Sequence, residues 1–242
     1  MNSITRKVSV APKVFERFPS FRRGIVIASE LRNHPENEEL ERLLAETVSR
    51  ARRSPVDLAE DARLKAWNEA YKELGVKPNK HPPAHRSLLK RAQRPDAVIP
   101  FINSVVAVMN ICSLEGAVPV GGDDIAPTTG DLVLRPAMGT EEFVPLGAPD
   151  FLETPPAGEL IYVDDGTMTV MCRRWNWRNS HMTRITENTQ TLVMNIDGLG
   201  DGATELTVQV RDRVAKLLAT YCQASVRTEI LTPATPSASP LA

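Results

Sequence analysis

Apolar residues recur at helical spacing in the first half of the chain and in short runs or alternation in the second. Over residues 38–53, Leu40, Leu43, Leu44 and Ala51 fall on one face, with acids in the opening turn where a helix dipole favours them. Over residues 56–74, Leu64, Trp67, Tyr71 and Leu74 repeat at three and four, and Gly75 closes the helix. A proline-rich connector, 76–83, leads to a short helix over 87–92. Residues 103–124 begin as an amphipathic helix through Val105, Val106, Val108, Met109, Ile111 and Cys112 and stop at Gly116. Pro119 then forces extended backbone, and Gly121-Gly122-Asp123-Asp124 predicts a tight turn. Residues 24–28 predict a buried strand, as do 131–135, 143–144, 159–163, 168–172 and 191–196, with Asp164-Asp165-Gly166 as a hairpin turn. Residues 203–222 predict the last helix.

The first twenty residues predict irregular chain, held to the body by Phe15, Phe18 and Phe21. Helices gather early and strands late, which predicts an α+β fold: a mixed β-sheet packed with helices, helices at the N-terminal side and one C-terminal helix. One domain is expected over 1–231, with a helical part to about 95 and a core over about 96–231. Residues 232–242, TPATPSASPLA, are expected to be a disordered tail.

Two stretches carry candidate chemistry. Asn110 places an amide among the apolar positions of the central helix, beside the bare Gly121-Gly122. Together they could wall a pocket, or form a helix with one hydrogen-bonded core Asn and a glycine stop. Residues 173–183, RRWNWRNSHMT, follow a strand and mix two tryptophans with donors and acceptors, which suits a small-ligand pocket or a pinned surface loop. Of the four histidines, His34, His81 and His85 sit in polar or proline-rich surroundings and read as exposed, and only His181 lies among pocket-like residues.

Composition narrows the classes. The 242 residues are 42% hydrophobic and carry a net charge of -1, so RNA contact requires a local basic patch. Lys77, Lys80, Arg86, Lys90, Arg91 and Arg94 supply one, in a stretch without acids; a solvated face balanced by acids elsewhere reads as well. Cys112, Cys172 and Cys222 lack metal-ligand spacing and read as reduced core thiols, so a cytoplasmic location is expected. The N-terminus is mildly basic without an apolar run, so no signal peptide is expected; there is no apolar run long enough to span a bilayer, and no GxSxG, HExxH, paired CxxC or Walker loop. No metal or cofactor is expected, and neither DNA nor a membrane is an expected partner.

Residues 110–124, NICSLEGAVPVGGDD, resemble the segment N-Y-V-x-L-E-L-G-Q-P-x-H-A-F-D of the B3/B4 editing domain in the beta chain of bacterial phenylalanyl-tRNA synthetase. Asn110, Leu114, Glu115, Pro119 and Asp124 match it. GDLVLRPAMGTEEFVPL and TENTQT, over residues 130–146 and 186–191, resemble later motifs of that domain in the same order. With residues 61–80 and the 173–180 loop, the chain is similar to free-standing proteins that carry the domain without a synthetase.

The resemblance implies a pocket between sheet and helices that hydrolyses a wrongly attached amino acid from the 3′ end of tRNA. Ester hydrolysis there rests on positioned donors and a positioned water. It implies catalytic roles for Asn110 and His181, and substrate contacts from Gly121, Gly122, Trp175, Asn176, Trp177, Asn179, Ser180 and Thr183. RNA contacts fall to Arg174, Arg178, Lys77, Lys80, Arg86, Lys90 and Arg91. The family's pocket His falls on Gly121, its loop glycines on Trp175, Asn176, Asn179 and Ser180, and its tyrosine-reading Glu on His181. The expected activity is deacylation of mischarged aminoacyl-tRNA in trans, not limited to tyrosine. A non-catalytic tRNA- or RNA-binding module and an enzyme on a free amino-acid derivative are the alternatives. The expected partners are tRNA or aminoacyl-tRNA and an amino-acid-like small molecule.

Overall fold

The computed structural model describes residues 6–238. Its architecture is α+β, with two sheets packed against helices. The elements are β1 (Val8–Val10), α1 (Pro12–Arg17), β2 (Arg22–Ser29), α2 (Glu38–Arg53), α3 (Ala62–Glu73), α4 (Ala84–Ala92), α5 (Ser104–Gly116), β3 (Val120–Asp124), β4 (Leu132–Pro136), β5 (Leu160–Asp164), β6 (Thr169–Arg173), β7 (Arg178–Asn179), β8 (Leu192–Gly198), α6 (Ala203–Cys222) and β9 (Ser225–Leu231). One sheet runs β3-β8-β2-β9, the other β1-β4-β5-β6-β7.

Period-two alternation divides the four-stranded sheet into two unlike faces. Val26, Ala28, Met194 and Ile196 join a core with α2, α4, α5 and α6. Ile25, Val193 and Leu231 face the other way and join Leu132, Leu134, Leu160 and Met171 of the second sheet, with Trp67 and Tyr71 of α3 between.

Helix α2 starts where the pattern places it, and the Asn37 side chain caps it by accepting from the Leu40 N–H at 3.0 Å. Helix α3 begins later than expected, because Asp61 accepts from the Arg63 N–H and sets the start at Ala62. Helix α5 is not amphipathic. Val105, Ala107, Val108, Ile111, Cys112 and Leu114 are buried around it, because helices and a sheet surround it.

Gly121-Gly122-Asp123-Asp124 is not a turn but most of the edge strand β3, antiparallel to β8 from Val120↔Ile196 to Asp124↔Leu192. Neither glycine has the positive φ that a tight turn would require. The first twenty residues are also more regular than expected. Strand β1 runs parallel to β4, and Phe15, Phe18 and Phe21 are buried as anticipated.

Residues 232–238 of the expected tail lie against β1. Val10 N–H donates to Pro236 O and Ala238 N–H to Val8 O, and Ala238 is buried. Backbone pairing of this kind does not depend on side-chain identity, so a low-complexity stretch can make it. Residues 239–242 lie outside the described residues. The three cysteines are free and buried, as expected. Among the described residues, no helix is long and apolar enough to cross a membrane.

Candidate functional site

A cavity of about 520 Å³ opens at the edge of the four-stranded sheet, bounded by β3, α4, α5 and the β6–β7 turn. Strand β3 forms its bare wall. Residues of an antiparallel pair alternate between bonding the neighbour and facing away. Asp197 N–H donates to Pro119 O at 3.1 Å, which fixes the phase and turns the backbone groups of Val120 and Gly122 outward along the free edge. On the same side Asp124 N–H donates to Thr183 O at 3.0 Å, closing the far end of that edge.

Pairing puts Gly121 opposite Asn195, and alternation puts Pro119, Gly121 and Asp123 on one face with Asn195, Asp197 and Arg23. All six line the cavity, with Tyr162 and Cys172 from the second sheet. A Cβ added at Gly121 would meet no atom within 4 Å, so this position is open space. Asn110 lies half-buried on the cavity wall of α5, beside Met109 and Ser113.

The floor is charged and almost wholly buried. Arg23 and Asp197 are each 2% exposed and form a two-pronged pair, Nε to Oδ1 at 2.7 Å and Nη2 to Oδ2 at 2.8 Å. Burial works against the Arg23 charge, but Asp197 outweighs it and the guanidinium pKa rises. The guanidinium also stacks 5.0 Å over the Tyr162 ring. Asp123, 4% exposed, accepts from the Thr183 hydroxyl at 2.7 Å through Oδ1. Burial pushes its carboxyl up to about 7, against the smaller opposing effect of that hydrogen bond. Burial also raises the Tyr162 hydroxyl and the Cys172 thiol, so both stay protonated at neutral pH.

Five buried polar atoms on residues lining this cavity have no hydrogen-bond partner among the described residues: Arg23 Nη1, Tyr162 Oη, Trp175 Nε1, Asn176 Nδ2 and Asn195 Oδ1. Buried polar groups are normally paired, so these residues make the cavity a candidate ligand site.

The expected 173–183 loop is a β6–β7 hairpin. Its turn holds Arg174 at φ 48° and Trp175 at φ 68°, a conformation costly for side chains other than glycine. Trp175 is buried, its ring 4.8 Å from Trp67, 4.9 Å from Phe21 and 5.0 Å from Phe18. It therefore anchors the hairpin, while Asn176, Trp177, Arg178 and Asn179 present themselves to the cavity.

Other expected site residues lie elsewhere. Ser180 and Thr183 are buried behind the wall, where the Ser180 hydroxyl donates to Val144 O and the Thr183 hydroxyl to Asp123. His181 is half-buried, donates its backbone N–H to Val144 O, and does not line the cavity. His85, expected to be exposed, is 1% exposed, with its ring 5.8 Å from Trp67 and both ring nitrogens without a hydrogen-bond partner among the described residues. Burial, reinforced by Arg63 and Arg86, pushes its pKa down to about 3.

The basic residues divide into two groups. Arg91 stands on the rim of the first cavity, on the α4 face that carries Ala84, Ser87 and Leu88. Lys90 is exposed and Arg86 half-buried on the same helix. Lys77, Lys80, His81 and Arg174 line a second cleft of about 540 Å³. Trp177 connects the two. It lines the first cavity, while the Arg174 guanidinium lies 4.7 Å and the His81 ring 4.5 Å from its ring. Arg178 also borders the first cavity, 3.8 Å from Glu153.

The sequence reading missed Arg23, Asp123, Tyr162, Asn195 and Asp197. Asn195 and Asp197 interrupt an apolar strand at a spacing of two, as do Gly121 and Asp123, and that shared period was the available signal.

A family model described as the B3/4 domain matches residues 66–223, more than half of the chain. Among solved structures, the chain is similar to an N-terminal fragment of the phenylalanyl-tRNA synthetase beta-subunit from Pyrococcus horikoshii. The identity is 14% and the TM-score 0.46, over 94% of this chain and 52% of that one. The chain thus spans about half the length of that fragment. No curated protein matches it.

Proposed function

Taking as premise that the chain belongs to the B3/4 domain family, we propose that the cavity beside β3 holds the aminoacyl end of a mischarged tRNA and that the protein hydrolyses its ester in trans, on a substrate not limited to tyrosine. The observation that carries this reading is the open face at Gly121, in a cavity also lined by the buried polar residues Arg23, Asp123, Asn195 and Asp197. A bare strand edge lets a ligand's backbone-like atoms come close, which any side chain at 121 would prevent.

An aminoacyl ester is already activated. Its hydrolysis needs a water held on line and donors aimed at the developing oxyanion. In this reading Asn110 on α5 and the outward N–H of Gly122 supply the donors, and a ribose hydroxyl helps to hold the water. Trp177 stacks on the terminal base, and Arg178 and Arg91 at the rim face the terminal phosphates. Lys77, Lys80 and Arg174 in the second cleft hold the next stretch of the acceptor strand. His181 has no part in the chemistry.

The test is deacylation across a panel of mischarged tRNAs by wild type, Asn110→Ala and His181→Ala. The reading expects at least one ester to be cleaved, with a loss of roughly 100-fold or more in Asn110→Ala, the size of removing one oxyanion donor. His181→Ala is expected to stay near wild type. Failure to cleave any ester, or an Asn110→Ala enzyme as fast as wild type, counts against it.

A second reading, an RNA-binding module without turnover, draws on the placement of His181 outside the cavity. It expects salt-sensitive binding of charged and uncharged tRNA alike, and no hydrolysis.

A further inference from the structure

Asp123 is a buried carboxylate that makes no ion pair among the described residues. Its one side-chain hydrogen bond among the described residues is to Thr183, through Oδ1. The groups around it neutralise it only in part. The Arg23 charge favours the Asp123 carboxylate, but the guanidinium is bound two-pronged by Asp197; Asp124 carries the same charge as Asp123, and Tyr162 and Cys172 are neutral. A buried carboxylate is normally matched by a cation. Here the wall opposite the missing cation is a cavity.

Resting on the deacylase reading above, we propose that Asp123 receives the α-ammonium group of the aminoacyl substrate, so that the cavity accepts a free amine and rejects an N-acylated one. The placement fits the chemistry. Asp123 and Gly121 lie two residues apart on one face of β3, about 7 Å at the rise of an extended strand. That spans the distance from a carbonyl lying against the bare glycine to a carboxylate contacting the neighbouring ammonium. The α-ammonium is common to all aminoacyl esters and absent from N-acylated ones. Asp123 therefore sets the class of substrate, and the rest of the cavity chooses the side chain.

The experiment is calorimetric titration with non-hydrolysable 3′-aminoacyl-amide analogues of adenosine. Each is prepared with a free amine and with an N-acetyl group, carrying a polar, an aliphatic or an aromatic side chain. Wild type is compared with Asp123→Asn and Asp123→Ala. The Asn variant keeps an acceptor for Thr183, so a folded protein without the charge is available. We expect wild type to bind at least one free amine roughly tenfold or more tighter than its N-acetyl form, the value of one charge-assisted contact. In both variants the two forms should bind within about threefold of each other. Equal binding of the two forms by wild type overturns the role of Asp123 and leaves the cavity reading standing. Discrimination that survives in both variants does the same. Failure of wild type to bind any analogue overturns the cavity reading and this inference together.

Discussion

Gly121 of β3 lies directly opposite Asn195 of β8, and a Cβ built on Gly121 meets no atom within 4 Å. The glycine is therefore not required by packing, and its backbone is not in the left-handed region. Gly121→Leu should project a side chain into the cavity while changing stability by less than about 1 kcal/mol, since its Cβ enters open space and its backbone is not strained. Equilibrium unfolding in urea and ligand titration on the same variant check both halves. Gly122→Leu is the contrast. Its Cβ would sit 3.2 Å from Met194 Cγ and 3.5 Å from Met109 Sδ, so that variant should lose stability.

Asp123 should make the protein less stable, not more. Its folded pKa of about 7 stands above the ordinary 3.8, so the folded state holds the proton more tightly. Stability contributed by this group is complete below about pH 4 and is lost as pH rises to about 7. A shift of this size corresponds to at most about 4 kcal/mol. Asp123→Asn should therefore unfold at higher urea than wild type at pH 8 and at nearly the same urea at pH 4. A site kept at a cost in stability is one held for binding.

The two hairpin tryptophans should separate cleanly. Trp175 is buried among Phe18, Phe21 and Trp67, so Trp175→Ala should cost about 3–5 kcal/mol. Trp177 is half-buried at the cavity wall, so Trp177→Ala should cost about 1 kcal/mol and act mainly on ligand affinity. Thermal unfolding and titration on both variants read this out.

His85 makes the fold acid-sensitive. Its folded pKa of about 3 lies below the ordinary 6.5, so the unfolded chain takes up the proton first. Its contribution is intact above about pH 6.5 and is lost as pH falls toward 3. His85→Phe should gain about 2 kcal/mol relative to wild type on going from pH 8 to pH 5, seen as a shift in urea midpoint.

Much of the scaffold could be read from the chain because its signals are local. Helix α2 has its Asn37 cap and its apolar face, α6 has its long apolar stripe, and the β5–β6 hairpin has its Asp-Asp-Gly turn. Strand β3 was misread because a Gly-Gly-Asp-Asp run has turn chemistry, and only pairing with distant β8 makes it a strand. Half of the site was visible for the same reason. Asn110 and Gly121 stand in one legible stretch, and 176–179 in another. Ungapped, the family's glycine falls on Trp175, and φ 68° there is a backbone that glycine adopts freely. The charged floor was not legible, because Arg23, Tyr162 and Asn195 come from three strands that meet only in the folded sheets.

The central claim, that the ester sits in the cavity against Gly121, is tested most directly by one measurement. It is the initial rate of hydrolysis of a mischarged tRNA that wild type deacylates, measured again with folded Gly121→Leu. The account predicts that the variant loses that activity by roughly 100-fold or more while its unfolding midpoint stays near wild type. A Gly121→Leu enzyme that deacylates as fast as wild type would contradict it.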